Sequence, residues 1–119
     1  MTYSQLAQHI REQGGATFTG RELLTKKSGF VVAIEGRELR KPLGDCSFLS
    51  DLLAGYWESN WDILANPGYY LGAWIDNDDI VLDVVTVIPS QEFALAMAFV
   101  NNQKAIYDLS TGEVINAQR

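Results

Sequence analysis

Tyr69-Tyr-Leu-Gly-Ala-Trp-Ile-Asp76, Asn77-Asp-Asp79, Ile80-Val-Leu-Asp-Val-Val-Thr-Val-Ile88: these three segments decide the fold. Two β-rich runs flank a turn-prone Asn-Asp-Asp, which predicts an antiparallel hairpin. In a strand, alternate side chains point to opposite faces. Ile80, Leu82, Val84, Thr86 and Ile88 therefore share one face of the second run, and Val81, Asp83, Val85 and Val87 share the other. Both sets are largely apolar, so the second run reads as a central strand that Pro89 closes.

Downstream, Ser90 can cap a helix whose first turn holds Glu92, where negative charge suits the helix dipole. Phe93, Ala94, Met97, Ala98 and Val100 make that helix apolar as far as Asn101-Asn102. Ala105–Leu109 and Glu113–Ile115 read as short strands around the turn residues Ser110-Thr-Gly112. The helix is long enough for a right-handed parallel crossover to Ala105–Leu109. An antiparallel return fits the spacing as well.

Upstream, Tyr3, Leu6, Ala7 and Ile10 form one face of a helix over Thr2–Gln13. Thr2 and Gln5 have capping-box spacing, and Gly14-Gly15 ends the helix. Ala16–Thr19 reads as a short strand, and Gly20–Ser28 as a loop with Leu23 and Leu24 turned inward. Gly29–Glu35 is a strand with Phe30, Val32 and Ile34 on one face. Gly36 permits a turn into Glu38–Lys41, a charged edge strand ending at Pro42, so a second hairpin is expected here. Asp45 or Ser47 caps the next helix, whose stripe is Phe48, Leu49, Leu52, Leu53, Tyr56 and Trp57, extended by Trp61 and Leu64. Within it Gly55 weakens the helix by roughly 1 kcal/mol relative to Ala and suggests close packing. Asn66-Pro67-Gly68 stops the helix.

The expected fold is α+β: a mostly antiparallel sheet of about four to six strands, with two or three helices packed mainly on one face. A chain of 119 residues fits one domain, 1–119. Cys46 is the only cysteine, so no internal disulfide can form. The N-terminus lacks the basic and apolar regions of a signal peptide. Apolar runs fall far short of the roughly 20 residues that span a bilayer. We therefore expect a cytoplasmic location and no membrane association. The net charge of −6 argues against nucleic acid as partner, because phosphate binding rests on Lys and Arg. It favours a basic protein instead.

No catalytic or cofactor motif stands out. His9 is the only histidine and has no motif around it. Cys46 precedes a helix, where a thiolate would be stabilised, but a packing role is the simpler reading. No Cys or His cluster marks a zinc site, and no glycine-rich loop has phosphate-binding spacing. The acidic turn, with Asp83 beyond it, lacks calcium-loop spacing and reads as solvated turn residues. Asp83 stands among valines, so burial would demand a partner. Arg37, Arg40 and Lys41 are the candidates. No cofactor and no metal are expected.

Tyr56, Trp57, Trp61, Tyr69, Tyr70 and Trp74 gather around one helix–strand junction, most of them as core. If the sheet is one-sided, one of Tyr69 and Tyr70 faces solvent. Trp and Tyr are enriched at interface hot spots, which selects Trp61, Tyr70 and Trp74, with Asp76, Asp78 and Asp79, as candidate partner-binding residues.

Gly72-Ala-Trp-Ile-Asp76, Val81-Leu-Asp-Val84, the Ala-rich helix after Ser90, and Asn102-Gln-Lys-Ala-Ile-Tyr-Asp-Leu109 with Gly112-Glu113 form a pattern covering about the C-terminal third. It resembles small uncharacterised proteins of actinobacteria and their phages. The resemblance implies no activity; it implies a phage or prophage accessory protein. The functional expectation is a small, acidic, non-enzymatic module that binds a host or bacterial protein, as monomer or homodimer. An immunity protein or antitoxin against a basic toxin belongs to the same physical class. The alternative is a small hydrolase or nuclease-like enzyme using Asp83, Asp76 or His9, and it requires those groups to converge in a pocket.

Overall fold

The computed structural model describes residues 1–117. In chain order the elements are α1 (Tyr3–Gln13), β1 (Gly15–Thr19), β2 (Glu22–Leu23), β3 (Phe30–Ala33), β4 (Leu39–Pro42), α2 (Cys46–Ser59), α3 (Trp61–Leu64), β5 (Tyr69–Asp76), β6 (Asp79–Ile88), α4 (Gln91–Val100), β7 (Ala105–Asp108) and β8 (Val114–Asn116). The fold is α+β, with four helices on one eight-stranded sheet. Each strand pair is antiparallel. The sheet has more strands than the four to six expected: β2, two residues within the segment read as a loop, is too short for periodicity to mark, while β8 falls on the short run expected at Glu113–Ile115.

The β5–β6 hairpin is the axis. Its register runs without a break from Tyr69 opposite Thr86 to Asp76 opposite Asp79. The turn is Asn77-Asp78, tightened by a positive φ of 55° at Asn77, a conformation that asparagine tolerates better than most residues. From this axis the sheet runs in the order β2-β1-β5-β6-β3-β7-β8. β7 points the same way as β6, yet β3 lies between them, so α4 carries the chain over one intervening strand.

The hairpin expected from Gly29 to Lys41 does not form. β3 and β4 do not pair with each other; both pair with β6, end to end along one edge. Ala33 opposes Val85 and Leu39 opposes Leu82, so residues 34–38 bulge over only two positions of β6, 83 and 84. The cause is length: β6 has ten residues, and a four-residue β3 leaves half its edge open. As expected, β4 is charged and lies at an edge.

All the helices pack on one face. Ile80, Leu82 and Val84 of β6 join Leu71 and Phe18 beneath Leu6, Ile10, Leu49, Leu53, Tyr56 and Leu64 of α1, α2 and α3. Farther along the same face, Val32, Ile106 and Ile88 pack under Ala94 and Ala98 of α4. Local signals hold these helices in place. Thr2 makes a full capping box with Gln5, and Gly14 ends α1 with a positive φ of 86°. Asp45 caps α2 by accepting a bond from the Phe48 amide at 2.8 Å. Gly55 does not serve close packing, since a side chain there would meet nothing within 4 Å. Among the described residues, no helix is long and apolar enough to cross a membrane.

Candidate functional site

The register fixes which side chains occupy the other, open face. Tyr70, Gly72, Trp74 and Asp76 of β5 oppose Val85, Asp83, Val81 and Asp79 of β6. Gly15 and Thr17 of β1 lie beyond Trp74 and Gly72. On the far side, Val31 opposes Val87 in β6 and Tyr107 in β7, and Tyr107 opposes Val114 in β8. Arg40 of β4 opposes Val81. Among the described residues no helix covers this face.

An antiparallel sheet with one free face usually alternates apolar-in and polar-out. This sheet does not. The centre of its open face is valine, and Val81 and Val85 are fully or almost fully buried by neighbouring side chains. The rim is aromatic and aliphatic, with Trp74 37%, Tyr107 42% and Val114 71% exposed. Gly72 brings the strands together tightly, since a Cβ there would stand 2.9 Å from Cγ1 of Val85.

Charge enters this face in two ways. At the hairpin end, Arg40 bridges two carboxylates, reaching Asp76 at 3.0 Å and Asp79 at 3.3 Å. Those bonds raise the already high pKa of the guanidinium. At the centre lies Asp83, only 1% exposed, whose Oδ2 has no hydrogen-bond partner among the described residues. Burial, and then the negative charge of Glu38, push its carboxyl up to about 7. The three expected partners are occupied or turned elsewhere. Arg37 holds Asp62 through two 2.9 Å bonds, Arg40 holds Asp76 and Asp79, and Lys41 falls on the face opposite to Asp83. The bulge at residues 34–38 places Tyr56 beside the same segment, where its hydroxyl donates to the Arg37 carbonyl at 2.6 Å. Burial raises the Tyr56 phenol well above its usual range, with the Asp83 charge as the next cause.

Of the six candidate partner-binding residues, Tyr70, Trp74, Asp76 and Asp79 come together on the open face. Asp78 sits at the hairpin tip. Trp61 lies apart, in the helical layer, 55% exposed and tilted at 54° to Trp57 with ring centroids 6.0 Å apart. Tyr56, Trp57 and Tyr69 pack in the helix-covered core, so the aromatics divide between the two faces rather than forming one cluster. Sequence reading missed Arg40 as the clamp on Asp76 and Asp79, and Tyr107 and Val114 as part of the rim. The signal for those two was their alternation with Ile106 and Ile115, but strands of four and three residues carry little of it.

The candidate catalytic groups do not converge. His9 belongs to α1 on the covered face, whereas Asp76 and Asp83 belong to the open face. Cys46 donates weakly to Gln8 Oε1 at 3.4 Å across the α1–α2 contact, as a packing residue would. Among the described residues no group of three or more His, Cys, Asp or Glu side chains is placed to hold a metal ion. A separate cleft of about 470 Å³ lies between the bulge and α2, lined by Arg37, Glu38, Asp51, Gly55, Tyr56 and Asn60 among others. Its polar groups are largely engaged with one another: Arg37 also donates to Asn60 Oδ1 at 3.1 Å, and Asn60 donates to the Tyr56 carbonyl at 2.9 Å.

No family model, no curated protein and no solved structure matches this chain.

Proposed function

We propose that this chain is a small, acidic, non-enzymatic interaction module that docks a protein partner on the open face of its sheet. The observation that carries this reading is the composition of that face: valines at its centre and Tyr70, Trp74, Tyr107 and Val114 around them, where a solvated face would be polar. Trp and Tyr are among the side chains most often found as binding hot spots. Asp76 and Asp79 at one end, with the chain's net charge of −6, suit a partner with basic groups beside its apolar ones. A basic toxin neutralised by an immunity protein or antitoxin would meet that description, as would a host protein bound by a phage accessory protein. Both place the chain in the cytoplasm, consistent with its single cysteine.

The test is affinity capture with crosslinking from bacterial lysate, run in parallel with the wild-type chain and Trp74→Asp. A partner held by the wild type and lost by the variant supports the reading. Recovery of no specific partner, or of one that Trp74→Asp retains, counts against it.

A further inference from the structure

Helix α4 is apolar on the face it turns away from the sheet as well as on the face that covers it. A helix that only covers a sheet turns its large apolar residues inward and its polar ones outward. Here Ala94 and Ala98 are fully buried and Leu95 and Met97 pack half-buried beside them, yet Phe93 is 72% and Val100 74% exposed. Phe93, Ala96 and Val100 fall at i, i+3 and i+7, one outward stripe. With Met97, Ile88 and Asn101 they line a groove of about 560 Å³. The residues facing the sheet do not require this apolar exterior.

We propose that this stripe is a self-association surface, on which α4 of a second copy packs antiparallel about a two-fold axis near Ala96. Charge selects the occupant. Between Ser90 and Lys104 the only ionised side chains are Glu92, at the start of the helix, and Lys104, beyond its end. A basic partner would find almost no counter-charge on the stripe. Two copies, each at −6, repel least where the surfaces they bring together carry no charge. Antiparallel packing keeps the two Glu92 carboxylates at opposite ends and brings each towards the other copy's Lys104 end; Glu35, which also reaches that end, is held by Asn102 at 2.8 Å. The stripe is self-complementary in shape as well. Ala96 at its middle admits a close approach, and Phe93 of one copy seats in the groove that Ala96, Met97 and Val100 form on the other. Such a contact is isologous and closes at two copies. Because α4 lies on the covered face, the dimer leaves both open faces free, and the inference stands independently of the partner proposed for them.

Sedimentation equilibrium on the full chain tests this. A two-chain mass is expected at roughly 10–100 μM, with Val100→Asp or Phe93→Glu weakening the dimer roughly 30-fold or more in Kd. Both positions are exposed, so circular dichroism should show the fold unchanged. Trp74→Asp, on the other face, should leave the dimer intact. In a Cys46→Ser background, Ala96→Cys should form an interchain disulfide on mild oxidation, and Gln91→Cys, away from the axis, should not. A one-chain mass throughout that range would overturn the inference. So would a dimer that survives Val100→Asp, one that Trp74→Asp dissolves, or failure of Ala96→Cys to crosslink.

Discussion

The two faces of β6 are buried to the same degree by different means. Ile80, Leu82 and Val84 are fully buried beneath the α1 and α2 side chains, and Val81, Asp83 and Val85 are no more than 3% exposed with no helix among the described residues above them. On the covered face the shield is a second layer of secondary structure, with its own caps and core. On the open face it is the neighbouring side chains of the same sheet, with the bulge of residues 34–38 beside Asp83. Equal burial therefore does not mean equal energy. A void under a helical layer persists because the helices are held by many other contacts, whereas side chains on an open face can settle into it.

Truncations on the two faces should separate these cases. Leu82→Ala is expected to destabilise by about 2–5 kcal/mol in urea unfolding, as buried leucines under a packed layer do. Val84→Ala and Val81→Ala are the matched pair, since both side chains are fully buried. We expect about 2–3 kcal/mol for Val84 and about 1–1.5 kcal/mol for Val81, close to transfer of the lost methyl groups alone. Equal costs would mean that the open face is packed as tightly as the core, and the distinction would collapse.

Asp83 sharpens the contrast, for it is a carboxyl buried on the open side. Folded, it holds its proton up to about pH 7; unfolded, it loses it near pH 4, as an ordinary aspartate does. Between those values this group binds more proton in the folded chain than in the unfolded one, so the stability it contributes is fully present below about pH 4 and is lost as pH rises through 7. The fall attributable to this group is on the order of 2–4 kcal/mol. Asp83→Asn should abolish that slope and make the chain more stable than wild type at pH 8, measured as urea midpoints at pH 5 and pH 8. A variant whose pH profile matches wild type would show that Asp83 finds a partner or water in solution.

The axis of this fold was legible because strand period, turn chemistry and caps agree there. Alternation over Ile80–Ile88, the Asn77-Asp78 turn, Thr2 with Gln5, Asp45, and Ser90 each reports a local preference that the fold obeys. Strand pairing was not legible where it depended on length rather than pattern. Phe30–Ala33 and Leu39–Pro42 look like a hairpin around Gly36, yet the ten-residue edge of β6 offers each a better partner than the other. The candidate site was half legible for a related reason. Two apolar faces on one strand announced a central strand, but could not say that only one face would receive helices. Once the register is known, Tyr70, Trp74, Asp76 and Asp79 follow together, and Trp61, which belongs to helical spacing, falls away. Asp83 was singled out among its valines, but its missing partner was not readable: Arg37 and Arg40 are nearby in sequence and find Asp62, Asp76 and Asp79 instead.

At the rim, stability and function should come apart. Trp74→Ser removes a ring that is 37% exposed but also helps to shield Val81 opposite it, so we expect a stability loss of about 1–2 kcal/mol, below that of Val84→Ala. The same change should weaken partner binding roughly 30-fold, as loss of an aromatic anchor does. Isothermal titration beside urea unfolding reads both. If stability falls by as much as it does for Val84→Ala, Trp74 is a lid on the valines rather than an anchor for a partner.

The smallest effect is expected at Arg40, and its value is that it isolates charge. Its two ion pairs are well exposed, with side-chain exposures of 43% for Arg40, 47% for Asp76 and 39% for Asp79. Water and salt screen such pairs, so Arg40→Gln should leave the urea midpoint unchanged within error. It takes the net charge from −6 to −7 and frees two carboxylates at one end of the open face. For a basic partner, association should quicken a few-fold at low ionic strength and converge on the wild-type rate as salt is added, because steering acts on encounter and is screened. For a partner recognised by apolar contact alone, stopped-flow rates should not move. A slower association would mean that Arg40 itself touches the partner, and the acidic end of the open face would then be an ion-paired frame rather than an attractant.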